Sequence, residues 1–227
     1  MRDPVVLVVA KAPVPGRVKT RLAVRVGPET AARLAAAAIL DTVAACEAAF
    51  GQDHCYLALD GDLADGLDGD GLSTALAGWT ILAQHGDGFA ARLTSAHFDV
   101  AGLAAAPVVQ VGMDTPQATA ADLDAVREQI RTGADAVLGP AVDGGWWVLA
   151  LSRPELAEAL SGVQMSSAQT GADTRVALEA AGAVVSIGPT LRDVDDAEDA
   201  AQVAWEFPRT GFARCWDKLV VAAGNVP

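Results

Sequence analysis

Val8-Val9-Ala10-Lys11-Ala12-Pro13-Val14-Pro15-Gly16-Arg17-Val18-Lys19-Thr20-Arg21-Leu22, residues 8–22 of a 227-residue chain, decides the reading. The apolar run from Val5 to Val9 reads as a buried strand, too short to cross a membrane. Two prolines and a glycine stiffen the loop that follows and let its backbone approach a ligand closely. Lys11 precedes Arg17, Lys19 and Arg21, which stand at alternate positions. Four cations on one tight loop suit a polyphosphate, with its several charges and many acceptor oxygens. A merely solvated basic loop is the plainer alternative, and the rest of the chain, which is acidic, stands against it.

The net charge is −13, which argues against general nucleic-acid binding. A small basic pocket in an acidic protein points instead to a small anionic ligand held locally, often with a metal ion. The 52% hydrophobic share fits a compact fold, and the length suits one α/β domain over residues 1–227. Cys46, Cys55 and Cys215 lack metal-type spacing and read as reduced packing residues. With no transmembrane run or leader pattern in the sequence, a cytoplasmic protein without a membrane partner is expected.

Outward from the loop, apolar spacing predicts a helix over Pro28 to Phe50, with Pro28 near its start. Strands are expected at His54–Asp60, Thr80–Leu82, Pro107–Val111, Ala134–Leu138 and Ala183–Ile187. Gly61 to Gly71 reads as a surface loop whose acidic spacing fits no calcium-binding EF-hand. Gln84 to Phe89 reads as a turn opening a helix from Ala90. Thr119 is placed to cap a helix whose Leu123, Val126 and Ile130 share one face. A helix is expected over Thr174 to Ala181, and residues 197–223 read as mostly helical. Alternating strands and helices predict a mostly parallel sheet covered on both faces, with ligands beyond the carboxyl ends of the strands.

Three acidic points fall at such ends. Asp114 follows a strand directly and could hold a divalent metal against phosphate oxygens, or simply enter a helix. Asp193 and Asp195, two apart, would point to one face of an extended segment and could share a metal, or Asp195-Asp196 with Glu198 could simply cap and charge the N-terminus of the next helix. Asp143-Gly144-Gly145 allows close backbone approach, or is a plain turn.

In this order the motifs, with Gly86-Asp87-Gly88, Gly112-Met113-Asp114-Thr115-Pro116 and Gly139 to Gly145, resemble the DUF2064 family. That family is a glycosyltransferase-like group of the GT-A nucleotide-diphospho-sugar transferase superfamily. Lys19-Thr20-Arg21-Leu22-Ala23 is also similar to the loop of the 2-phospholactate and phosphoenolpyruvate guanylyltransferases, and the layout is distantly similar to molybdenum-cofactor guanylyltransferases. The resemblance implies a GT-A α/β fold and a transferase acting on an activated nucleotide donor and a small-molecule acceptor. It implies that Ala10, Lys11, Gly16, Arg17, Lys19 and Arg21 bind the nucleotide, chiefly its phosphates, with Gly86, Asp87 and Gly88 bordering the base or sugar. Asp143, Gly144, Gly145 and Trp146 would line the acceptor side. Asp114, with Asp193 and Asp195, would hold Mg2+ or Mn2+, and Arg17, Lys19 and Asp114 would be catalytic. Trp146-Trp147 replaces an expected Tyr or Phe pair, and Met113 a small residue. Nucleotidyl transfer from a nucleoside triphosphate is expected first, glycosyl transfer from a nucleoside diphosphate-sugar second, and a non-catalytic nucleotide-binding protein last. The aromatic C-terminal segment is either core or the face of a homodimer.

Overall fold

In the computed structural model, which describes residues 2–221 and 224, seven strands form one sheet. In chain order the strands are β1 (Val5–Lys11), β2 (Cys55–Asp60), β3 (Thr80–Ala83), β4 (Val108–Gly112), β5 (Ala136–Pro140), β6 (Trp146–Leu151) and β7 (Val185–Ile187). Their order across the sheet is β3-β2-β1-β4-β6-β5-β7, and every pairing is parallel except those of β6 with β4 and β5. The mostly parallel sheet expected from the sequence is therefore present, with one strand reversed.

β1 shows why the sheet must be covered twice. Val6, Val8 and Ala10 face one hydrophobic cluster, and Val5, Leu7 and Val9 face another, as the two-residue period of a strand dictates. On the first face lie α2 (Pro28–Phe50), α3 (Gly69–Ala75) and α5 (Ala120–Arg131), through residues such as Ile39, Leu72 and Val126. On the second lie α4 (Phe89–Ala104), a 3-10 segment over Pro154–Gly162 and α6 (Thr170–Ala180), through Leu93, Leu156 and Leu178. The outer side of α2 carries a third cluster with α1 (Thr20–Val26), α7 (Ala197–Glu206) and α8 (Gly211–Trp216). Asp41 on α2 ties α8 down by accepting from the backbone N–H groups of Gly211 and Phe212 at 2.8 and 2.7 Å.

Several boundaries differ from the sequence reading. Gly61–Gly71 is not all loop: a 3-10 turn spans Leu63–Asp65, and α3 begins at Gly69. α6 begins at Thr170, four residues before its expected start. Thr119 caps α5 in a reciprocal capping box with Asp122. In the C-terminal stretch, Phe212 and Trp216 are buried in the third cluster while Trp205 is 81% exposed, so its aromatics divide between core and surface. Ala222 and Ala223, included in the expected helical tail, lie outside the described residues. Cys46 and Cys55 are buried and free, and burial pushes the Cys55 thiol up to about 12, consistent with packing residues. No helix among the described residues is long and apolar enough to cross a membrane.

Candidate functional site

The carboxyl ends of β1, β2, β3, β4 and β5 open together onto a cavity of about 790 Å3. β1 delivers Lys11 there, β2 Asp60, β3 Gln84 through the next residue, and β4 Asp114 two residues past its end. Asp143 comes from the turn between β5 and β6, and Trp146 from the start of β6.

The loop after β1 turns sharply at Gly16, with φ of +76°, and again at Lys19, with φ of +48°. A lysine in the left-handed region is strained, and such strain persists where surrounding contacts hold it. Here those contacts are ionic. The Lys19 side chain is only 7% exposed, and its Nζ contacts a carboxylate oxygen of Asp114 and donates to the Val194 carbonyl. Asp195 Oδ1 lies 3.9 Å away on another side of the same ammonium. Arg21 reaches Asp195 Oδ2 at 3.2 Å, while Lys11 and Arg92 both pair with Asp60. Arg17 lines the cavity, is exposed, and has no carboxylate within ion-pair distance among the described residues.

The segment carrying Asp193 and Asp195 is fixed by its backbone. Val194 N–H donates to the Asp114 carbonyl at 2.8 Å, and Leu191 N–H to the Pro140 carbonyl at 3.1 Å. Val194 is buried, so the two flanking aspartates are turned toward the cavity. Asp196 takes the capping role instead, accepting from Glu198 and Asp199 N–H at the start of α7.

Seven aspartates and five cations line the cavity, so it is no simple anion trap. The excess of negative charge collects on one side. Burial pushes the Asp193 carboxyl up to about 7, and the nearby carboxylates of Asp114 and Asp143 push in the same direction. Asp195 is also raised by burial, with Lys19 pulling against it. Lys19 pulls the other way without cancelling the rise, so an ionised Asp193 is poorly compensated by the protein itself. Among the described residues, no three His, Cys, Asp or Glu side chains stand together as a metal-enclosing group. Magnesium does not need one, since it takes one or two carboxylates and completes its shell with water and phosphate oxygens. The all-oxygen donors of Asp114 and Asp193, and the poorly compensated charge, fit a hard divalent cation.

Of the residues singled out by sequence, Ala10, Lys11, Arg17, Lys19, Arg21, Asp114, Asp143, Gly145, Trp146, Asp193 and Asp195 line this one cavity. Gly16, Gly86, Asp87, Gly88 and Gly144 do not. Gly86 and Gly88 form the turn, with φ of +123° and +87°, and their flanking neighbours Gln84 and Phe89 line the cavity instead. Gly144, with φ of +90°, is a packing residue: a Cβ there would run into the Ala168 carbonyl, and Gly144 O accepts from Gly171 N–H at 2.8 Å. That contact pins the 143–145 turn against the segment carrying Ser166, Ser167 and Thr170, which also line the cavity. The two tryptophans divide. Trp147 is buried and donates to the Pro189 carbonyl at 2.8 Å, whereas Trp146 is partly buried beside the cavity and its indole contacts Thr174 Oγ1. Met113 is buried under the loop, its sulfur 3.2 Å from the Lys11 N–H.

Arg92, Gln84, Gln110 and the Met165–Thr170 segment were not marked by the sequence reading. Arg92 sits one helical turn into α4 and looks like an ordinary surface arginine. Gln110 did carry a signal, being a lone amide inside the apolar run Val108–Val111.

Residues 40–167, more than half of the chain, match the family described as "Uncharacterized protein conserved in bacteria (DUF2064)". The chain belongs to this family. The matched stretch holds Asp114 and Asp143 to Trp146, while the loop of residues 8–22 and the Asp193–Asp195 segment lie outside it. No curated protein matches the sequence. Among solved structures, the fold is similar to that of a candidate nucleotide-diphospho-sugar transferase from Desulfovibrio desulfuricans G20. The two superpose with a TM-score of 0.79 at 23% identity, over 98% of each chain. A cytidylyltransferase from Leptospira borgpetersenii superposes at 0.57 and 12% identity, over 100% of this chain and 97% of that one. A 4-diphosphocytidyl-2C-methyl-D-erythritol synthase superposes at 0.60 and 13% identity, over 89% and 97%. The fold of this DUF2064 protein is that of the nucleotide-diphospho-sugar transferases, as its motifs imply.

Proposed function

We propose that this DUF2064 protein is a nucleotidyltransferase, taking a nucleoside triphosphate as donor and a small phosphate- or phosphonate-bearing molecule as acceptor. The observation that carries the reading is the arrangement around Lys19. A buried ammonium on a strained loop is held among carboxylates at one end of a cavity that Arg17 and Arg21, from the same loop and the start of α1, also line. A triphosphate supplies the charge that Arg17 lacks. Two of the fold's solved relatives are nucleotidyl-transferring enzymes by name, and another of the same fold is described in complex with CTP.

In this reading Arg17, Lys19 and Arg21 bind and orient the phosphates. An acceptor phosphate oxygen attacks the α-phosphorus, the new P–O bond forms as the bond to the β-phosphate oxygen breaks, and pyrophosphate leaves. The attacking oxygen is already anionic, so no protein group has to take a proton. The cations hold donor and leaving group in place and stabilise charge as it moves. Asp114 and Asp193 are the residues that would hold Mg2+ or Mn2+, with Asp195 beside them held by Arg21 and Lys19. When bound, the ion neutralises phosphate oxygens.

Glycosyl transfer from a nucleoside diphosphate-sugar is the second reading. It is favoured by Asp143, which lines the cavity, makes no ion pair among the described residues, and could accept a proton from an acceptor hydroxyl. Pyrophosphate release separates the two. Incubation of the protein with Mg2+, each of the four common nucleoside triphosphates and a panel of phosphorylated small acceptors should release pyrophosphate with one pairing. Release of a nucleoside diphosphate from a nucleoside diphosphate-sugar, with no pyrophosphate from any triphosphate, overturns the first reading in favour of the second.

A further inference from the structure

Gln110 is out of place in its strand. It lies in β4 with Leu7 opposite it on β1 and Leu149 opposite it on β6, both fully buried. It is itself 1% exposed, yet its Oε1 has no hydrogen-bond partner. A buried amide oxygen without a partner is destabilising, and native proteins keep few of them without a use. Gln110 also lines the cavity, on the same face as Val9, Leu93, Trp146 and Met165. Val9, Leu93 and Met165 give that part of the wall apolar surface around the amide. Along the chain it is four residues from Asp114, so the two backbones are at most about 14 Å apart.

We infer that Gln110 is a specificity residue for the acceptor, its amide hydrogen-bonding a neutral hydroxyl or amide group at the deep, apolar end of the cavity. The inference rests on the transferase reading for the word acceptor alone; the binding chemistry follows from the cavity. The group is neutral because the amide that meets it carries no charge and Arg92, beside Leu93 on α4, is already paired with Asp60. Val9, Leu93 and Met165 offer no counter-ion. A charged end of the acceptor therefore belongs at the other end, among the cations and carboxylates. The acceptor is accordingly a molecule with an anionic head, an apolar middle and one neutral polar group. A lone polar side chain in an apolar wall discriminates strongly, since a ligand lacking the matching group leaves the amide buried and unpaired.

The test needs no nucleotide, so it stands apart from the transferase reading. In 15N-labelled full-length protein, the Gln110 side-chain NH2 signals are assigned by their loss in Gln110→Leu, with Gln110→Met as a second variant. Acetamide and glycerol are then titrated as neutral probes, with acetate and methylammonium as charged ones. The Gln110 signals should shift saturably with acetamide or glycerol and stay still with the charged pair, while at least one variant melts at or above the wild-type temperature. Signals unmoved by all four probes would mean that the amide is satisfied inside the protein and would overturn the inference. So would a preference for acetate or methylammonium, or a melting point lowered by more than about 4 °C in both variants.

Discussion

Asp193→Asn should make the protein more stable in mildly alkaline buffer without any ligand. The carboxyl titrates near 7 in the fold because it is buried and faces Asp114 and Asp143, against an ordinary value of 3.8. A native pKa above the unfolded one means that the folded state binds the proton more tightly. The wild type is then penalised for ionising Asp193, little below about pH 4, increasingly from 4 to 7, and by a constant amount above 7. Three pH units at about 1.4 kcal/mol each give about 4 kcal/mol as the full penalty. Partial hydration of the site reduces this to roughly 2–4 kcal/mol. At about 2–4 °C per kcal/mol for a chain of this size, the gain in Tm is at least about 4 °C. Thermal unfolding of both proteins at pH 8, 6 and 4 checks this. The difference should be largest at pH 8, smaller at pH 6 and nearly absent at pH 4. No gain at pH 8, or the same gain at pH 4, would mean that no poorly compensated charge collects at Asp193.

Lys19→Met removes the cation that Asp114 and Asp195 share. Breaking a buried pair costs about 3–5 kcal/mol, but these two carboxylates are 39% and 46% exposed and can be hydrated, so a loss of about 1–2 kcal/mol is expected in denaturant unfolding at pH 7. Gly144→Ala should lose at least about 1 kcal/mol in the same assay, since φ is +90° and the added methyl meets the Ala168 carbonyl. Asp41→Ala strips the acceptor from two N–H groups at the start of α8 and should cost about 1–3 kcal/mol, read as a lowered Tm.

The strands were legible because their apolar runs are short, with Val dominating β1 and β4. What an apolar run does not carry is direction. Trp146 to Leu151 could have paired either way, and only its neighbours on both sides make it the reversed strand. α1 was not visible because it starts at Thr20 directly after a left-handed Lys19, with no side-chain cap to announce it. Its first residues, Thr20 to Leu22, continue the basic loop in sequence, so the start of a helix lies inside the candidate phosphate-binding motif. Asp114 and Asp143 were legible by position, each standing within three residues of a strand end, and Asp193 and Asp195 by their spacing of two. The placement of Lys19 among those carboxylates was not, since residues 19, 114 and 195 meet only through the fold. Glycines misled in one respect. Gly86, Gly88 and Gly144 mark turns at the rim, and the side chains beside them, Gln84, Phe89 and Trp146, are the ones that reach the cavity.

On the proposed function, the Lys19 loop and Asp114 together bind a nucleoside triphosphate with magnesium. The most direct measurement is calorimetric titration of each Mg2+–nucleoside triphosphate, and of nucleoside diphosphate-sugars, into the wild type and Asp114→Ala. Saturable binding of one triphosphate to the wild type is expected, dependent on Mg2+ and lost in Asp114→Ala while that variant keeps its far-UV circular dichroism. Binding of that triphosphate at full strength in Asp114→Ala, or no binding of any triphosphate to the wild type, would contradict it.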